Sequence, residues 1–168
     1  MKPAQQVSRK ATEMLTANDA KESASDAQDL RVFTANALKF AVFAEDITAE
    51  VPWRRPTPLP QAPAAVLGIA SIQGRMLTVL DPVVLLTNAA SGSEAKRFIV
   101  ALRGDEQLAL AVEQQGESVA ANIVNEASTK DGAAMGVIEQ EGDTISVLDV
   151  KKLFALAIRG RERRQRRF

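Results

Sequence analysis

Short apolar runs, each bounded by Gly, Pro or charged residues, recur along most of this chain. In the first half they lie near residues 31–36, 39–44, 46–51, 68–72 and 76–80, and in the second near 97–103, 107–114, 117–124, 135–140 and 144–148. Runs of this length, rich in β-branched residues and separated by turn residues, predict strands. No long helical crossovers separate them, so five strands per half favour two small closed barrels over one parallel sheet, and closure removes exposed edges. A half of about 60 residues buries too little surface to be stable alone, so the two should share apolar contact. The fold class is therefore mainly β: two pseudo-symmetric five-stranded barrels packed together, with halves at roughly 31–96 and 97–158, short helices and a C-terminal helix. Residues 1–30, with "TANDAKESASDAQD", read as a flexible arm, against a competing short helix through Val7, Ala11, Met14 and Leu15. "VPWRRPTPLPQAP", residues 51–63, reads as an extended connection. A stripe at Val150, Leu153, Phe154 and Ala157 predicts a final helix that Gly160 interrupts.

The two halves repeat. Adding 68 to Gly68, Gly74, Val79, Leu80, Asp81 and Leu85 gives Gly136, Gly142, Val147, Leu148, Asp149 and Leu153, without a gap. The same offset places Val32 on Val100, Phe40 on Leu108 and Val42 on Leu110. This is the signature of an internal duplication. Gly74 and Gly142 each sit between two apolar runs, where a tight hairpin turn requires a positive φ. Asp81 and Asp149 follow a strand and precede a helical stripe, the position of an N-cap whose carboxylate accepts from free N–H groups; Pro82 suits the first helical residue.

Composition then narrows the chemistry. The 168 residues contain no His, Cys or Tyr, which removes the usual general base, the thiolate nucleophile and the commonest metal ligand. Neither a P-loop nor a dinucleotide fingerprint is present. No catalytic residue, metal site or cofactor is expected. Net charge is zero, yet "RGRERRQRRF", residues 159–168, holds six Arg against one Glu, a tail of +5 on a body of −5. The opening residues lack the apolar run of a secretory signal, and no stretch approaches 18 apolar residues, so the chain reads as soluble and cytoplasmic.

The ordered series "VFTANALKFAVFAEDITAEV", "LPQAPAAVLGIASIQGRMLTVLDPVVLL", "FIVALRGDEQLALAVEQ" and "GDTISVLDVKKLF" resembles the CheW-type coupling domain of bacterial chemosensory systems, over roughly residues 31–158. The resemblance implies two SH3-like barrels packed face to face and a non-enzymatic adaptor. Its implied partners are the regulatory domain of a CheA-type histidine kinase and the cytoplasmic tip of a chemoreceptor, in arrays at the membrane. On this resemblance Ala44, Ala49 and Glu50 match the strand used against the kinase, and Ile47, Gln73 and Gly74 match receptor-facing positions. Where the family has Leu-Arg-Gly this chain has Ile72-Gln73-Gly74, which loses the guanidinium's charge and planar fork, with Arg75 one residue beyond.

Three features carry a second reading. Asp81 and Asp149 as a catalytic or metal-binding acid pair have no further ligands in their surroundings, and the cap reading is stronger. Trp53, beside Arg54 and Arg55, is a loop aromatic packed on the barrel or an interface anchor. The Arg-rich tail is a solvated extension, a contact for an acidic protein face or anionic membrane, or the attachment point of a small barrel to nucleic acid. That last reading lacks an aromatic stacking platform, since Phe33, Phe40 and Phe43 are the only aromatics in the first three strands.

Overall fold

The computed structural model describes residues 26–89, 95–124 and 132–165, with only the helical backbone described for 159–165. The strands are β1 (Gln28–Ala35), β2 (Leu38–Phe43), β3 (Ile47–Pro52), β4 (Val66–Ile72), β5 (Arg75–Leu80), β6 (Phe98–Leu102), β7 (Leu108–Val112), β8 (Gln114–Ala121), β9 (Ala134–Gln140) and β10 (Asp143–Leu148). A 3-10 turn, Ala44–Asp46, joins β2 to β3, and helices α1 (Pro82–Thr87) and α2 (Val150–Gln165) follow β5 and β10. Every apolar run became a strand.

Two boundaries differ from the sequence reading. The arm ends before residue 30, because Gln28 and Asp29 pair with Ala121 and Ala120 of β8 and Leu30 is buried. Backbone pairing, not side-chain polarity, sets that strand end. The rest of the arm, including the stripe from Val7 to Leu15, lies outside the described residues. At the other terminus α2 continues through Gly160 to Gln165. One Gly costs a helix only about 1 kcal/mol against Ala, and the Arg, Glu and Gln around it are good helix formers. The basic tail is thus helical as far as Gln165.

The strands form two five-stranded sheets, in the orders β8-β1-β2-β10-β9 and β3-β6-β7-β5-β4. These do not coincide with the sequence halves 31–96 and 97–158. Each sheet takes two strands from one half and three from the other. The exchange is reciprocal: β10 lies parallel to β2 through Ser146↔Phe40, and β5 lies parallel to β7 through Thr78↔Leu108. Each sheet also rolls up on itself. Thr57, beyond β3, bridges Ile69 of β4, and Val124, beyond β8, bridges Val137 of β9. Both bridges are doubly hydrogen-bonded, at 2.8 and 2.9 Å in the first and 2.9 Å twice in the second. The Asp81 and Asp149 amides likewise donate to the Ala65 and Ala133 carbonyls at 2.8 and 2.9 Å, so the 68-residue offset survives in three dimensions.

Strand alternation now has a spatial meaning. In β7, Leu108, Leu110 and Val112 join Phe33, Phe40, Val42, Leu80, Leu102 and Leu148 in a core between the two sheets, whereas Ala109 and Ala111 join Ala70, Ile72, Val79, Ile99 and Ala101 inside one sheet. Leu30, Val32, Ala41, Ile138, Ile145 and Val147 fill the other. Both faces of β7 are buried, hence its unbroken apolar run. On β7 itself the residues turned into the barrel are the small ones, Ala109 and Ala111, and those turned to the other sheet are the large ones, Leu108, Leu110 and Val112.

The candidate adaptor surface

β3 and β8 are the edge strands at which the two sheets meet along one seam. Arg31 of β1 reaches across it: its Nη2 donates to Glu50 Oε1 at 2.6 Å and to the Gly116 carbonyl at 2.7 Å. The Gly116 amide donates to Glu50 Oε2 at 3.3 Å. One carboxylate therefore ties β3 to β1 and β8. Gly116 lies at an irregularity in the β1–β8 register, between Val32 and Thr34. A Cβ there would sit 2.7 Å from two ring carbons of Phe33, a buried ring stacked on Phe40 at 5.8 Å between centroids. Only Gly lets β8 approach the core so closely.

Around this clamp Ala44, Ile47, Ala49 and Glu50, four of the positions that the family resemblance marks, are half-buried. Ala44 lies in the 3-10 turn, Ile47 packs on the core between the sheets, and Ala49 packs on the interior of its own sheet. Thr48, exposed between them, donates to the Ala101 carbonyl at 3.3 Å. Asp46 closes the turn by accepting at its carbonyl from the Arg103 amide, at 2.7 Å. Burial raises its carboxyl pKa above the ordinary value, with Glu45 adding to the rise and Lys151 and Arg103 opposing it. Gln73 and Gly74 form the exposed two-residue turn between β4 and β5, at φ 50° and 78°. The matching turn, Glu141-Gly142, has φ 52° and 84°. By strand register Gln73 and Gly74 share one end of their sheet with Ile47 but stand on different strands. Glu50 is committed within the chain to Arg31 and Gly116.

Asp81 Oδ1 accepts from the Val83 amide at 2.9 Å, and Asp149 Oδ1 from the Lys151 amide at 3.1 Å. Asp81 is buried, with Lys96 Nζ 3.7 Å from Oδ2. That ammonium also lies 5.9 Å from the ring centroid of half-buried Trp53, so the lone Trp is a packed loop aromatic. Lys96 has no counterpart in the motif pattern and was not legible as a partner of Asp81. Expected costs follow from burial: Asp81→Ala should lose about 2 kcal/mol, through the cap and the Lys96 pairing, and Asp149→Ala about 1 kcal/mol. Urea unfolding of the two variants checks the order; equal losses would remove the distinction.

Phe33 and Phe40 are consumed by the core, so they form no stacking platform. Among the described residues no group of three metal-ligating side chains comes together, and no helix is long and apolar enough to cross a membrane.

Residues 29–158 match the CheW-like domain family. The chain belongs to this family. It is similar in fold to the scaffolding protein TtCheW from Thermoanaerobacter tengcongensis, whose crystal structure aligns with a TM-score of 0.65 at 18% identity, covering 76% of this chain and 92% of that one. No curated protein sequence matches the chain. CheW-like proteins are non-enzymatic scaffolds of chemotaxis signalling. The structure therefore has to explain surfaces, not a reaction. Sequence reasoning located the strand Ile47–Pro52 but missed Arg31 and Gly116, which hold it in place. The available signal was Arg31 standing between the apolar Leu30 and Val32-Phe33 of β1.

Proposed function

We propose that this CheW-like chain is an adaptor that couples chemoreceptor tips to the regulatory domain of a CheA-type histidine kinase, in cytoplasmic arrays associated with the membrane. The observation that supports this most directly is the seam itself. Two edge strands, clamped by Arg31, Glu50 and Gly116, leave Ala44, Ile47 and Ala49 half-buried on a rigid support, and rigid support is what a docking surface needs. In this reading Ala44, Ala49 and Glu50 face the kinase, and Ile47, Gln73 and Gly74 face the receptor. Glu50 then acts by holding β3 in position as well as by contact. No small-molecule substrate or cofactor enters.

Calorimetry of the purified chain with the isolated regulatory domain of the CheA-type kinase from its own genome should give saturable one-to-one binding. Ala44→Arg should weaken it at least tenfold with an unchanged unfolding midpoint, since a desolvated charge at an interface costs well over 1.4 kcal/mol. Absence of binding to any such kinase would sink the coupling role while leaving the fold and family in place.

A further inference from the structure

A second surface lies between the Pro-rich connection and α2, on strands other than the two of the β3–β8 seam. Leu59, Gln61 and Pro63 of the Pro-rich connection form one wall of a groove of about 300 Å³, and Phe154, Ala157 and Ile158 of α2 form the other. Leu80 and Leu108 lie at its floor. Three of the five large apolar side chains exposed among the described residues gather here: Leu59 at 41%, Phe154 at 44% and Ile158 at 44%. Exposed apolar groups concentrated on both lips of a recess are the mark of a docking site, where single scattered ones are not. The groove is built on β4, β5 and β7, away from the edge strand β3 that carries the seam.

Charge says what fits it. The helix that forms one lip carries six basic residues against one acidic residue between Val150 and Gln165, in a chain whose net charge is zero. Its backbone runs seven residues beyond Ile158, about 10 Å further. Arg161 and Arg164 follow Ala157 at the i+4 and i+7 positions of that helix. Arg54 and Arg55, exposed, open the connection that forms the other lip. Asp105 and Glu106, exposed in the turn before Leu108, put the negative charge at the β7 side, so an occupant's acidic residues belong with the far half of α2. A recess with a sunken apolar floor takes an inserted side chain. A flat bilayer surface or a phosphate backbone would not reach it.

We propose that this groove docks an acidic amphipathic helix of a partner protein, with bulky apolar residues at i, i+3 or i+4, and i+7 seated between the connection and α2, and carboxylates meeting the basic end of α2. This would be a third contact, independent of the kinase and receptor surfaces proposed above.

The test is selection of a random 16-residue displayed peptide library on the immobilised full-length chain, followed by fluorescence anisotropy of the enriched peptides. Enriched sequences should be net acidic with apolar residues at helical spacing. Their affinity should fall at least tenfold for Ile158→Asp and for the double variant Arg161→Gln/Arg164→Gln, and should weaken as salt rises. Ile158 is exposed, so its variant should keep the wild-type unfolding midpoint; if it does not, Leu59→Asp serves as the second probe of the same groove. No enrichment, enrichment of basic or patternless peptides, or binding indifferent to these substitutions would overturn the proposal. So would two rival occupants: vesicles of anionic phosphatidylglycerol competing the peptides away, or an Ile158-dependent dimer in sedimentation velocity.

Discussion

Gly68→Ala should be the most damaging single-methyl addition in the protein, lowering stability by about 4 kcal/mol. Two costs combine. Gly68 has φ 145°, outside the range an L side chain adopts without strain, which alone costs about 1–3 kcal/mol. A Cβ there would also lie 2.3 Å from the Thr57 carbonyl oxygen and 2.7 Å from its carbon, both backbone atoms that no rotamer change can move. The next residue, Ile69, donates to that same oxygen at 2.9 Å and accepts from the Thr57 amide at 2.8 Å, so relief of the clash opens the bridge that closes the sheet. Gly74→Ala is the control: its φ is also positive, but a Cβ would meet nothing within 4 Å, and its cost should stay near 1 kcal/mol. Urea unfolding of both variants decides. A loss below about 1 kcal/mol for Gly68→Ala would show that the bridge is not part of what holds this sheet closed.

Separation of the two sequence halves, by a break between residues 92 and 93, should leave neither half able to fold as a monomer, while the mixture regains the fold. The reason is topological. The first half without the second has β2 without β10 at its side and β5 without β7, and exposes the face that carries Phe33, Phe40, Val42 and Leu80. At about 25 cal/mol per Å² of apolar surface, even a few hundred Å² of that seam is worth a large share of the 5–15 kcal/mol that a domain has in total. Circular dichroism of each fragment and of the equimolar mixture is the measurement. A folded monomer formed by either half alone would mean that strand exchange is not required for stability.

The same exchange marks the limit of what could be read from the chain. Strand positions were legible because alternation reports which face of a strand is buried, and the hairpin turns were legible because Gly74 and Gly142 sit between apolar runs at matching places. Strand partners were not. Phe40 and Leu108, or Val42 and Leu110, occupy equivalent places in the repeat, so β5 meets the same pattern of side chains whether it pairs with β2 of its own half or β7 of the other. Periodicity cannot choose between them. The closing contact of Thr57 with Ile69 is purely backbone and leaves no side-chain signature. The continuation of α2 past Gly160 was hidden because one Gly weakens a helix without ending it. At the candidate surface, Ile47 and Ala49 could be placed on a strand from the sequence, whereas Ala44, read there as a strand residue, lies in the 3-10 turn before β3. The Arg31–Glu50 pair, 19 residues apart, was not legible there, because it depends on how two sheets are laid against each other.

The 68-residue offset relates the two sheets almost perfectly, yet the clamp exists once. The positions that correspond to Arg31 and Glu50 are Ile99 and Ser118, an apolar core residue and a neutral one. A pair of separate, identical subunits exchanging strands would have had to carry every surface substitution twice. Fusion into a single polypeptide lifts that constraint: the interior keeps its inherited twofold likeness, while one copy is free to acquire a charge that the other never bears. Under the coupling role proposed above, an adaptor that tells two unlike partners apart would use such a body, symmetric where it is packed and asymmetric where it is met.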